Sequence, residues 1–127
     1  MFDMTQEVLW NIVKREGGAL VHAHPFRGQA VPMDPRYLDG IEINCHPLYG
    51  KTFSEELLAM AKEHALAVTC GGDYHADTYR PQCGVYVPNN IEDSLALGEF
   101  ILSTNKMDLL VHEINTDKPN CITVHKE

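Results

Sequence analysis

Positive charge is scarce in this sequence: 10 Lys+Arg stand against 18 Asp+Glu, for a formal net charge of -8 with histidine neutral. Such a balance repels phosphate backbones and anionic membrane surfaces, which argues against nucleic-acid binding through a basic face. Long apolar runs are missing as well. No stretch approaches the ~20 residues that a membrane span needs, and the first residues form neither a basic n-region nor an apolar h-region. A cytoplasmic location without membrane attachment is expected. The four cysteines, Cys45, Cys70, Cys83 and Cys121, include no CxxC pair, so the signatures of a zinc ribbon and of a thioredoxin-type motif are both absent. Reduced thiols that pack as small hydrophobes are the expectation. Internal repeats, low-complexity segments and linkers are also lacking.

What is present suffices for one ordinary core: 127 residues with 44% apolar content read as a single domain spanning 1–127. Val8, Leu9, Ile12 and Val13 follow the helical period between Thr5 and Glu16, with Asp3 or Thr5 as cap and Gly17-Gly18 as stop. Ala19 to Ala23 reads as a short buried strand ended by Pro25. Gly40 to Cys45 reads as a second strand, with Glu42 and Asn44 on the face opposite Ile41 and Ile43. Thr52 and Glu55 form a capping box for a helix whose stripe is Leu57, Leu58, Ala61 and Ala65 and which ends near His64 or Ala65.

Leu66 to Cys70 is the third strand, broken by Gly71-Gly72. Gly84 to Val87 is a fourth, and a helix from about Ile91 to Ser103 follows with Ile91, Leu95, Gly98, Ile101 and Leu102 on one face. Leu109 to Ile114 and Cys121 to His125 pair as a hairpin around Asn115 to Asn120. Strands alternating with helices argue for an α/β fold with a parallel sheet. A complete α/β barrel needs ~250 residues, about twice this length. The chain is therefore either a small open sheet or part of a barrel.

Polar residues gather where strands end: His22 and His24, then Glu42, Asn44 and His46, then Asp73 and His75. Ligands bind at such C-terminal strand ends in α/β architectures, because the loops there converge on one mouth. Imidazole and carboxylate groups in that mouth suit zinc, manganese or iron. His46 and Arg80 are further mouth residues. His22 is expected one layer deeper than His24, in a hydrogen-bonded interior role, whereas His64 and His125 have bland explanations as helix and terminal residues.

Three strings in order then carry a resemblance. Ala23-His24-Pro25-Phe26-Arg27 looks like the third motif of the PHP (polymerase and histidinol phosphatase) domain family. Asp39-Gly40-Ile41-Glu42-Ile43-Asn44 is similar to the segment that commonly follows it. Gly71-Gly72-Asp73-Tyr74-His75-Ala76 resembles the fourth motif, usually a Gly-Ser-Asp-Ala-His run. The likeness covers roughly Ala19 to Leu102.

It implies half of a β/α barrel of PHP type with a C-terminal β-hairpin added, and metal ligation by His24, Asp73 and His75. Glu42 joins them as a ligand or as the carboxylate that orients one. Arg27 is implied as a phosphate contact, and His46 is placed with it among the catalytic groups. The implied activity is hydrolysis of a small phosphorylated substrate by water bound to a divalent transition metal, Zn, Mn or Fe. The family's first two motifs, a His-x-His strand end and further His and Glu ligands, do not precede these strings, and Met1 to Gly18 holds no histidine. The expectation is thus the C-terminal half of such a domain, completed by a homodimer partner or by a missing N-terminal half. Two other readings stay open: an amidohydrolase-like metal hydrolase opened by His22-Ala23-His24, and a non-catalytic truncated module.

Overall fold

Asp39 is the joint on which the first three elements meet. In the computed structural model, which describes residues 4–26, 33–47, 55–78, 81–113 and 115–126, helix α1 spans Gln6–Arg15 and strand β1 Val21–His22. Strand β2 spans Gly40–Asn44. Asp39 Oδ1 accepts from Lys14 Nζ of α1 at 2.6 Å, and its Oδ2 accepts the backbone N–H of Leu20 at 2.8 Å. One carboxylate thereby fixes α1 and the entry to β1 against the start of β2.

Helix α1 starts where Thr5 Oγ1 accepts the Val8 N–H at 3.2 Å, and it stops at Gly17, whose φ of +77 favours glycine. Its expected apolar stripe is not enclosed: Val8 is 37% and Leu9 36% exposed. The helix is held instead by Lys14, by Trp10 against Tyr37 and by Gln6, whose Nε2 donates to the Asp34 carbonyl at 2.7 Å.

Strands β1, β2 and β3 (Ala67–Gly71) form a parallel sheet in that order. Between β2 and β3 lies helix α2, Glu55–Glu63, which buries Leu57 and Ala61 and closes at Ala65 with φ of +51. The expected Thr52 cap of α2 lies outside the described residues. The register pairs Ile41 with Val68 and Ile43 with Cys70. These four side chains therefore share one face of the sheet, and all are buried.

The fourth strand departs from the parallel expectation. β4 (Gly84–Tyr86) pairs antiparallel with β5 (Lys106–Val111), and β5 pairs antiparallel with β6 (Asn120–His125), in a separate three-stranded sheet. The C-terminal hairpin is present, with β5 beginning earlier than Leu109 because Met107, Leu109 and Val111 alternate into the core. These join Leu38, Ile41, Ile43, Leu57, Leu66 and Val68 in one cluster. Each fully buried side chain of this size contributes about 1.5–3 kcal/mol.

Helix α3 (Ser94–Ser103) starts later than Ile91 because the Asp93 side chain accepts the Ala96 N–H at 2.7 Å and caps it there. Its inward face is Phe100 and Ile101, whereas Leu95, expected inward, is 59% exposed, and Leu102 is exposed too. The architecture is α/β with one parallel and one antiparallel sheet, and no barrel closes among the described residues. No helix among them is long and apolar enough to cross a membrane.

Candidate metal centre

The C-terminal ends of β2 and β3 deliver three metal-ligating side chains to one place. His46 lies two residues beyond β2, and Asp73 and His75 follow β3. One donor atom from each lies within 4.8 Å of the others. Parallel neighbours end at the same edge of a sheet, so ligands separated in sequence by a helix and a strand become adjacent in space.

Burial grades across the cluster. His46 is 4% exposed; the Asp73 side chain is 18% and that of His75 66% exposed. His75 Nδ1 lies 2.8 Å from the Asp73 carbonyl and 3.1 Å from Asp73 Oδ1. Both are acceptors, so Nδ1 carries the proton and Nε2 is the lone-pair nitrogen. The His46 and His75 rings meet edge-on with centroids 5.8 Å apart.

A hydrogen-bonded chain ties this cluster to the end of β1. The His46 N–H donates to Asn44 Oδ1 at 3.0 Å, Asn44 Nδ2 donates to Glu42 Oε1 at 3.1 Å, and the His24 N–H donates to the same oxygen at 3.2 Å. Glu42 also reaches β3, since a Cβ at Gly71 would stand 2.8 Å from its Oε2. His24 and Asp73 both hold positive φ, +33 and +52. Non-glycine residues adopt this region at a cost, and such strain collects at functional sites.

The sequence-derived site residues are thus partly brought together. Asp73 and His75 converge as expected. His46, assigned a catalytic role, is the third member of this group of potential metal donors, because its position just past β2 sets it beside the loop after β3. His24 is not a member of the three-donor cluster and is joined to it through Glu42 and Asn44. Glu42 is not a member either; its Oε1 is engaged by two N–H donors. Arg27 and Arg80 lie outside the described residues.

The donor set, two imidazoles and one carboxylate, matches what divalent Zn, Mn or Fe accepts. A second observation fits: among the described residues, His22 Nδ1 and His24 Nδ1 are buried without a hydrogen-bond partner. For His22 this corrects the expected hydrogen-bonded interior role. Burial, aided by the neighbouring His24, holds the His22 imidazole below its ordinary range, so it is neutral near pH 7.

A second cluster escaped the sequence reading. Cys45, Cys70 and Cys83 bring their sulfur atoms within 4.8 Å of one another. A signal was present: Cys45 continues the buried alternation of Ile41 and Ile43, and Cys70 that of Val68. Only the register of β2 on β3 turns those two patterns into a contact. Cys121, in contrast, is exposed, so it does not pack as a core hydrophobe. Comparison with family models, curated proteins and solved structures finds no match to this chain.

Proposed function

We propose that this chain holds a divalent transition metal at the C-terminal ends of β2 and β3 and serves metal-dependent hydrolysis of phosphoesters, as part of a PHP-type fold. The observation that carries the reading is the convergence of His46, Asp73 and His75 on one point at the strand ends. The three motif-like strings supply the reaction class, and the ordered α–β alternation up to β3 is consistent with half of such a barrel.

A bound ion would supply a water acidified toward neutral pH and neutralise phosphoryl oxygens. The chain's own residues have definable tasks around it. Asp73 provides the negative charge, His46 and His75 provide neutral nitrogen donors, and the Asp73 acceptors fix the His75 tautomer. Glu42 and Asn44 hold the ends of β1 and β2 in register with the cluster.

The site is proposed to be completed by further ligands from a second copy of the chain or from a preceding half-domain. β1 is the outer strand of the parallel sheet, and the orphaned nitrogens of His22 and His24 lie on it or just past it. The test is calorimetric titration of metal-free protein with Mn2+ and Zn2+, followed by a panel of aryl phosphates, amides and cyclic ureides. Binding that depends on Asp73, with turnover confined to the phosphates, supports the reading. Turnover confined to amides or ureides would favour the amidohydrolase alternative, and absence of stoichiometric metal would favour the non-catalytic module.

A further inference from the structure

We infer that Cys45, Cys70 and Cys83 form a separate thiolate site for Zn2+, distinct in chemistry from the nitrogen–oxygen cluster at the strand ends. The three sulfurs arrive from three different elements. Cys70 lies on β3, Cys83 directly precedes β4, and Cys45 directly follows β2, where its N–H donates to the Gly71 carbonyl at 2.8 Å and so continues the ladder. Two sheets therefore fix their spacing before any ion arrives.

The dimensions suit the ion. Zn–S bonds of ~2.3 Å in a tetrahedron place sulfurs about 3.8 Å apart. Cys45 and Cys70 Sγ are 3.4 Å apart, and all three sulfurs fall within 4.8 Å. Cys45 and Cys70 lie within the apolar core and Cys83 packs against it, yet the three sulfurs also face one another. Cys45 and Cys70 are buried, whereas Cys83 is half-buried, so solvent reaches the cluster from the Cys83 side.

Zinc is held by thiolate rather than thiol, so the three cysteines release their protons to solvent as the ion binds. His112 is not the fourth ligand: its Nδ1 accepts from the Gln82 N–H at 3.0 Å and its Nε2 lies 2.9 Å from the Thr116 carbonyl. Soft thiolates select Zn2+ over Mn2+, so the two clusters are chemically separable.

The experiment titrates the reduced 127-residue chain with Co2+, a spectroscopic substitute for Zn2+, while Mn2+ saturates the strand-end cluster. A thiolate-to-cobalt charge-transfer band in the near ultraviolet, bleached by one equivalent of Zn2+, is expected. In Cys83→Ser the apparent Co2+ affinity falls by about tenfold or more, whereas in His46→Ala and Cys121→Ser the band persists. Circular dichroism checks that Cys83→Ser folds. As an independent reading, Zn2+ slows alkylation of Cys83 in the unmodified chain while exposed Cys121 reacts at an unchanged rate. Absence of the band, or its full persistence in Cys83→Ser, overturns the inference and leaves the strand-end proposal untouched.

Discussion

Glu42 Oε1 accepts the backbone N–H of His24 at 3.2 Å, so a carboxylate on β2 holds the chain where β1 ends. The same oxygen accepts from Asn44 Nδ2, which in turn positions the His46 backbone. Glu42 is thereby linked through Asn44 to the candidate metal cluster without being a member of it. Glu42→Ala releases both donors, and the expected outcome is a loss of Mn2+ affinity of about 10- to 100-fold. Glu42→Gln keeps an acceptor oxygen and restores most of it. Calorimetry on both variants checks this, and equal loss in the two would assign Glu42 as a direct ligand.

Gly40 provides the contrasting case, a constraint on the sheet rather than on the site. A Cβ there would stand 2.7 Å from the Ala67 carbonyl oxygen, and backbone cannot yield as a flexible side chain does. Gly40→Ala is expected to destabilise the fold by about 1–3 kcal/mol through overpacking. Urea unfolding measures it.

Protonation of His22 gives the metal-free protein an acid-side dependence. Burial holds its folded-state value below the ordinary 6.5, so between those two values the unfolded chain binds more protons than the native one. Stability from this group is then fully present above 6.5 and is lost as pH falls through the folded value. In chelator, the urea midpoint should decline through that window, and His22→Gln should flatten the decline. An identical slope in the variant would assign the acid sensitivity to other groups.

Much of this arrangement was legible in the sequence because it rests on short-range signals. Period-2 alternation at Ile41 and Ile43, the Gly71-Gly72 break and the helical stripe at Leu57 and Ala61 each specify their element locally. Asp73 and His75 were legible as a pair because they follow a strand directly. The rest depended on tertiary pairing. Nothing local in Gly84–Tyr86 states whether its partner runs parallel or antiparallel; β5 decides that. The exchange of His46 for His24 in the cluster, and the meeting of Cys45 with Cys70, both follow from the register of β2 on β3. The exposed leucines of α3 misled because apolar periodicity reports that a face could be covered, not that this chain covers it.

Asp73 is the residue on which metal binding at the strand ends depends most under the proposed function. It supplies the only carboxylate of the three-donor cluster and is mostly buried. It also accepts from His75, so a change there alters both charge and orientation. Asp73→Asn retains size and hydrogen-bonding capacity but removes the charge, and Mn2+ affinity is expected to fall by about tenfold or more. Turnover should be weak even in the unmodified chain. Three protein donors hold one ion, whereas in-line displacement with two ions needs groups that fix both at about 3.5–4 Å. An aryl phosphate assay with added Mn2+ should therefore show slow hydrolysis by the chain alone. The rate should rise on mixing with an upstream half taken from a complete PHP protein, or with protein concentration if a second copy supplies the missing ligands. Sedimentation separates these two routes, since only the second requires a homodimer. Vigorous, concentration-independent turnover by a monomer that survives Asp73→Asn would place the chemistry elsewhere and sink the proposed site.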